Sequence, residues 1–249
     1  MFDLDALHSL ADITRIQAKA RPAEIAHVFE DRITSFGELD ARASRIANGL
    51  IALGAKPHSR IGYIGMNSDR YFETVYGCFK ANAVLVGVNW RLAPPEVSYV
   101  LNDAGAEIVF VGAEFAGMVE AIRSELKSVR HIIALDGPHS DWPVFDAWRD
   151  GQSSADPNRP IAPDDDAIQL YTSGTTGHPK GVQLTNANYL AFMATAQEAG
   201  WANYEAGEVC LVAMPNFHVA GLNMGVLTVA AGAKAIIMKQ VDPVKVLDA

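Results

Sequence analysis

Short, nearly uninterrupted apolar runs alternate with longer segments of helical periodicity along most of this chain. The runs are Ile61–Ile64, Val84–Val88, Ile108–Val111 and His131–Leu135; helical patterns lie between and after them at about Tyr71–Lys80, Pro95–Ala104 and Glu114–Leu126. A strand exposed on one face alternates apolar and polar residues, whereas a continuous apolar run needs cover on both faces. The pattern therefore predicts an α/β fold of layered, mostly parallel sheets with helices on both faces. Before the first run, Ser35 and Glu38 form an S-x-x-E capping box that opens a helix. Leu39, Ala43, Ile46, Ala47, Leu50 and Leu53 then line one helical face, and Gly54 supplies the stop.

The texture changes between Asp136 and Asp166, which hold five of the twelve prolines together with Gly137, Gly151, Ser153 and Ser154. This is loop composition and marks the expected internal boundary, with one α/β subdomain over 1–160 and a second over 161–249. In the second part the sequence predicts strands at Ala167–Tyr171, Val209–Ala213 and Ala235–Met238, with helices around 187–199 and 220–231. Asp242 and Pro243 read as the N-cap and first position of a closing helix. Asp164, Asp165 and Asp166 invite a metal reading, but adjacent acids point in different directions in a regular backbone, so they read as solvated linker.

The densest chemistry lies at Tyr171-Thr172-Ser173-Gly174-Thr175-Thr176-Gly177-His178-Pro179-Lys180-Gly181-Val182, which directly follows the predicted strand. Glycine admits positive φ and close approach of a ligand, successive N–H groups form an anion cradle, and hydroxyls add donors. Lys180 adds a full positive charge, so a polyphosphate is the natural guest, with a plain surface loop as the alternative. The segment is not a Walker loop, because Lys180 is followed by Gly181 rather than a hydroxyl residue, and G-x-G-x-x-G is absent from the chain.

The whole string resembles the signature loop of the adenylate-forming superfamily, which includes acyl-CoA synthetases. Met214-Pro215-Asn216-Phe217-His218-Val219-Ala220-Gly221 is similar to the P-x-F-H segment of those enzymes. Asn89-Trp90-Arg91-Leu92, leading into Pro95-Glu96, resembles their N-x-R-L stretch. The resemblance implies the N-terminal portion of an acyl-CoA synthetase. Such an enzyme couples a carboxylic acid to ATP, releases pyrophosphate, and transfers the acyl group to coenzyme A. It also implies roles for particular residues. Thr172, Ser173, Gly174, Thr175, Thr176 and Gly177 would wrap the β- and γ-phosphates, and Lys180 would neutralise pyrophosphate charge. Thr176 would neighbour Mg2+, while Phe217, His218 and Gly221 would border the acyl group. The adenine site, a magnesium-binding glutamate and a catalytic lysine of the family have no counterpart in these 249 residues, so the chain alone is expected to be inactive.

Other features bound the partners. A net charge of −9 argues against nucleic acid or an anionic membrane surface. The acids at Asp3 and Asp5 argue against a signal peptide, and a cytoplasmic enzyme is expected. Residues 209–233 contain no Asp, Glu, Lys or Arg, but Pro215, Asn216, His218 and Asn223 interrupt the stretch, so it does not read as a membrane span. Cys78 and Cys210 read as buried thiols. His178 falls at a variable position of the motif, Arg91 is expected to bridge to Glu96 or another acid, and of Met214, Leu222, Met224 and Leu227, candidates for an acyl tunnel, most read as core. Three readings stand side by side: a carboxylate–CoA ligase of fatty or other apolar acids, a non-catalytic nucleotide-binding or interaction module, and a kinase-like phosphate transfer. The last lacks its lysine motif.

Overall fold

The protein was analysed as a computed structural model that describes residue 4 and residues 6–172, 178–201 and 204–248. The expectations attached to Ser173, Gly174, Thr175, Thr176 and Gly177 lie outside the described residues.

In chain order the elements are α1 (Asp12–Ala20), β1 (Ile25–Phe29), β2 (Arg32–Ser35), α2 (Phe36–Ala52), β3 (Arg60–Ile64), α3 (Asp69–Lys80), β4 (Val84–Gly87), α4 (Pro94–Ala104) and β5 (Ala106–Val111). There follow α5 (Ala116–Ala121), β6 (His131–Ala134), α6 (Phe145–Asp150), β7 (Asp166–Thr172), β8 (Lys180–Thr185) and α7 (Asn186–Glu198). The chain continues through β9 (Val209–Val212), α8 (Val219–Ala230), β10 (Lys234–Ile237) and α9 (Pro243–Asp248).

The strands form two sheets, in the orders β2-β1-β10-β9 and β6-β5-β3-β4-β7-β8. All neighbours are parallel except β1–β2 and β7–β8. The mostly parallel α/β architecture read from the apolar runs is therefore the observed one. Each sheet takes strands from both sides of residues 136–166. One apolar cluster fills the space around α1, α2, α3 and α8 and includes Leu85, Ile108 and Ile168 of the larger sheet. A second cluster, with Val86, Val109, Val97 and Leu101, covers that sheet's opposite face beneath α4. Successive strand residues point to opposite faces, which is why Leu85 and Val86 belong to different clusters. Helix α3 contacts both sheets, through β1 and β4.

Local signals explain several element ends. The Glu38 amide donates to Ser35 Oγ (3.2 Å) and the Ser35 amide to Glu38 Oε2 (2.8 Å), closing the expected capping box. Gly54 takes a φ of +88° just past α2, where a Cβ would be strained. The Val244 amide donates to Asp242 Oδ1 (3.0 Å), so Asp242 caps α9 as anticipated. Cys78 and Cys210 are free and buried, and burial pushes the Cys78 thiol well above its ordinary range. Among the described residues no helix is long and apolar enough to cross a membrane.

Three sequence expectations need correction. The helix expected over 114–126 is broken into α5 flanked by 3-10 turns at Ala113–Phe115 and Arg123–Glu125; Gly117 and Ser124 are weak helix formers within it. Within the Asp164–Asp166 run only Asp164 is exposed; the other two acids are tied into the fold. Asp165 accepts from Asn82 Nδ2 (2.9 Å) and the Ala162 amide (2.8 Å), and Asp166 pairs with Arg60 (2.9 Å) where β7 begins beside β3. Residues 136–166 also carry α6, which is tied inward by charge.

That tie is strong enough to test. Glu73 of α3 is almost fully buried and accepts from Arg42 of α2 (2.9 Å) and Arg149 of α6 (2.7 Å). Removing one partner of a buried ion pair costs about 3–5 kcal/mol when the other charge is left alone. Here Arg149 keeps Asp146 and Asp150 and Arg42 keeps Thr34 Oγ1. Glu73→Ala is therefore expected to cost about 2 kcal/mol, read as a lower urea midpoint at unchanged slope. An unchanged midpoint contradicts the tie.

Candidate active site

The motif at 171–182 is framed by an antiparallel hairpin that the sequence reading missed. Strands β7 and β8 pair in one register from Ile168↔Leu184 to Tyr171↔Gly181 and Thr172↔Lys180, after a shift between Asp166 and Ile168. Lys180 thus sits directly across from Thr172. Strand β8 lies at the sheet edge and is largely solvent-facing, so it lacks the continuous apolar run that marks the other strands.

Helix α4 fixes both ends of this hairpin loop. The Tyr171 hydroxyl donates to Asp103 Oδ2 (2.7 Å), and the Tyr99 hydroxyl to the Pro179 carbonyl (3.3 Å). His178 stacks on Tyr99 with ring centroids 5.0 Å apart, so the motif's variable position is part of the anchoring. The Tyr171 ring can lie against β8 only because residue 181 is glycine: a Cβ there would be 3.0 Å from that ring and 2.5 Å from Gln169 Nε2. Burial, helped by Asp103, pushes the Tyr171 phenol up, so it remains a neutral donor.

The second motif folds as a turn entering α8. His218 is the N-cap of α8, and its Nδ1 accepts from the Ala220 amide (3.3 Å). The ring proton of neutral His218 is accordingly assigned to Nε2. Gly221 is buried on the first turn of α8, where a Cβ would stand 2.4 Å from the carbonyl oxygens of both Met214 and Pro215. It lets the helix close onto the turn and is not part of the cavity wall.

The third motif packs on the second. Trp90 meets the Phe217 ring edge-on at 6.2 Å, and the Arg91 guanidinium lies over both rings, 4.5 Å from Trp90 and 5.8 Å from Phe217. This corrects the expected Arg91–Glu96 bridge. The Glu96 carboxylate instead accepts from the Ala93 amide at the start of α4 (2.8 Å), and arginine gains from stacking on aromatic faces.

These elements enclose a cavity of about 440 Å³. Its wall includes Leu92, Val100, Leu170, Phe217 and Val219, and Thr172 and His218 line it as well. It opens at the carboxyl ends of β4 and β7, the edge at which parallel sheets bind ligands. The structure therefore brings Thr172, Phe217 and His218 together, places the exposed Lys180 across the ladder from Thr172, and buries Gly221 in α8 against Met214 and Pro215, off the cavity lining. Leu222 and Leu227 are core, as expected; Met224 is half-buried against it, and Met214 is exposed.

A possible metal cluster elsewhere does not survive its geometry. Glu120, His139 and Asp141 bring ligand atoms within 4.8 Å of one another. His139 Nδ1 accepts from the Asp141 amide (3.2 Å) and Nε2 faces Glu120 (3.1 Å), so neither ring nitrogen presents a lone pair outward.

Residues 14–249 match the family model described as AMP-binding enzyme. The chain belongs to the AMP-binding enzyme family. Over 236 residues it is 35% identical to the fatty acid–[acyl-carrier-protein] ligase ScoC of Streptomyces coeruleorubidus, covering 94% of this chain and 44% of that protein. It is 33% identical to the long-chain-fatty-acid–CoA ligase FadD13 of Mycobacterium tuberculosis, covering 93% and 44%. Among solved structures, that of the N-terminal domain of FACL13 from Mycobacterium tuberculosis superposes with a TM-score of 0.86 at 29% identity, covering 97% of this chain and 60% of that one. This AMP-binding enzyme chain thus spans about half the length of the curated relatives it matches.

Tyr99, Asp103, Asn67 and Tyr71 are the supporting residues that motif reading did not find in this AMP-binding enzyme. A usable signal existed for Asn67, a polar residue just beyond a predicted parallel strand, where ligand-site residues concentrate.

Proposed function

We propose that the polypeptide carrying this chain is an ATP-dependent ligase of apolar carboxylic acids, activating the acid as its adenylate and passing the acyl group to the thiol of coenzyme A. The observation that carries this reading is the shared cavity. An apolar wall for an acyl group meets, at Thr172 and His218, the mouth of the hairpin that ends in Lys180.

In the first step a carboxylate oxygen of the acid attacks the α-phosphorus of ATP. The bond from that phosphorus to the bridging oxygen breaks, and pyrophosphate leaves. Such displacement depends on positioning and charge stabilisation rather than on a protein nucleophile. Thr172 and the hydroxyl and amide groups of 173–177 bind the phosphates, and Lys180 meets the charge that develops on pyrophosphate. His218 and Phe217 hold the acid beside the α-phosphate and exclude water. In the second step the thiol sulfur attacks the acyl carbon, AMP departs with its oxygen, and the thiol proton is released. Magnesium supplies neutralisation of phosphate charge when bound; Thr176, its expected neighbour, lies outside the described residues.

The acceptor thiol is taken as coenzyme A, and a phosphopantetheine-bearing carrier protein has the same reactive group. The test is hydroxylamine trapping of the adenylate with ATP, magnesium and a panel of aliphatic and aromatic acids. It is run on this chain and on the polypeptide extended to the length of the relatives. Hydroxamate from the extended polypeptide alone, with fatty or aromatic acids preferred over short polar ones, is the expected outcome. No hydroxamate from any acid in either polypeptide leaves the non-catalytic module as the reading. Adding coenzyme A or a carrier protein in separate arms identifies the acceptor.

A further inference from the structure

The turn that carries Phe217 and His218 is held from outside its own sheet. Asn67, three residues beyond β3 of the larger sheet, donates from Nδ2 to the Met214 carbonyl (2.9 Å) and accepts at Oδ1 from the Asn216 amide (2.9 Å). Met214 and Asn216 follow β9 of the smaller sheet. Asn67 thus presents its amide group to a backbone donor and a backbone acceptor two residues apart, as a neighbouring strand would. Four residues on, the Tyr71 hydroxyl donates to the Asn216 carbonyl (2.7 Å). The Tyr71 ring is 1% exposed and wedged edge-on between Tyr63 (4.9 Å) and Phe72 (5.3 Å), so its hydroxyl has little freedom.

From these contacts we infer that Asn67 and Tyr71 form a latch between the two sheets that positions His218 and Phe217 for the acid; they are positioning residues and touch no reacting atom themselves. The inference rests on the activation reading for its chemistry, but the latch itself does not. Three buried or half-buried hydrogen bonds converge on Met214 and Asn216, immediately before the two cavity residues. The side-chain amide of Asn216, 2% exposed, has no partner among the described residues, so this residue is anchored through its backbone. Loss of the latch leaves the turn held, among the described residues, by the Gly221 closure, the Trp90 and Arg91 stack, and the packing of the Phe217 backbone against Gly87 of β4. Lys180 stands on β8 of the larger sheet, away from the latch in the chain and in the ladder. The latch should therefore govern His218 and leave Lys180 unaffected.

The test takes two readouts on the polypeptide used for adenylate trapping. In kinetics, Asn67→Ala is expected to lower the rate of adenylation at low acid concentration by about 10–100-fold, the scale of a small misplacement of reacting groups. The same substitution should lose less than about threefold in a His218→Ala background and keep its full factor in a Lys180→Ala background, because only residues acting together are non-additive. A merely structural role gives the same factor in all three backgrounds. In hydrogen exchange, Asn67→Ala should strip protection from the Asn216 amide while the amides of α3 keep theirs. Asn67→Asp keeps an acceptor for the Asn216 amide but sets a carboxylate oxygen against the Met214 carbonyl, so it should retain that protection only in part. Should Asn67→Ala fold poorly, Tyr71→Phe removes a single hydrogen bond of the latch and should show a partial loss of Asn216 protection relative to wild type. Equal factors in every background, or unchanged Asn216 exchange in both Asn67→Ala and Tyr71→Phe, overturns the latch. If the wild type forms no adenylate, the activation reading fails, and the exchange readout alone decides whether the latch exists.

Discussion

Lys180→Ala is expected to slow adenylate formation by about 10²–10³-fold, or about 3–4 kcal/mol in the barrier, the scale seen when one preorganised partner of developing charge is removed. Lys180 is the first residue of β8 and pairs across the ladder with Thr172, so its backbone is fixed while its side chain remains exposed. Charge on the departing pyrophosphate grows as the bond to the α-phosphorus breaks. A cation held there gains more in the transition state than in the ground state, so the loss should fall on the single-turnover rate more than on the KM for ATP. An exposed side chain of this kind carries little folding free energy, and the thermal midpoint should stay nearly constant. Lys180→Arg keeps the charge but changes its reach, and should recover part of the rate. Single-turnover rates equal to wild type in Lys180→Ala would remove the residue from the mechanism.

The parts of this fold that were legible in the sequence are those where one residue type has one structural use. Ser35 and Glu38 cap α2 because a hydroxyl and a carboxylate three residues apart satisfy each other's backbone amides. The runs at 61–64, 84–88 and 108–111 became β3, β4 and β5 because only a sheet covered on both faces can use them. Strand β8 was hidden: Lys180–Thr185 is an edge strand whose Val182 is 43% exposed, and its partner is set by hairpin register rather than by burial. The assembly of the smaller sheet was hidden for a different reason: its strands β9 and β10 were predicted, but β1, β2 and their place beside β10 were not. Strand β1 near the start pairs with β10 near the end, and no local pattern announces a contact so remote in sequence.

The candidate site divides in the same way. Thr172, Phe217 and His218, which share one cavity, and Lys180, across the ladder from Thr172, could be picked out as candidates because they sit in strings long enough to be specific. Arg91 was misassigned because charge alone suggests an acid partner, whereas its real surroundings are the faces of Trp90 and Phe217. Asn67, Tyr71, Tyr99 and Asp103 act through backbone carbonyls, amides and a phenol of distant segments, and a donor aimed at a backbone group leaves no complementary residue in the sequence to find.

The stability of the chain should fall as pH drops from about 6.5 to about 4, with His27 contributing on the order of 3 kcal/mol of that loss. His27 lies on β1, between β2 and β10, and is fully buried with its ring 5.4 Å from that of Phe72. Neither ring nitrogen has a hydrogen-bond partner among the described residues. Burial disfavours the imidazolium and holds the pKa at about 4 against an ordinary value of 6.5; the nearby Asp69 carboxylate opposes this and Arg42 reinforces it. Because the folded value is the lower one, the unfolded chain takes up the proton first as pH falls. Stability is then complete above about 6.5, declines through the window, and has lost the full His27 contribution below about 4. The paired carboxylates of the fold also lose stability in acid, but that loss is common to wild type and a His27 variant and cancels in their difference. Denaturant unfolding of wild type and His27→Leu at a series of pH values isolates the histidine: the variant should show a visibly flatter dependence between pH 6.5 and 4. Parallel curves for the two proteins across that window would mean that a buried, neutral His27 is not what makes this fold acid-sensitive.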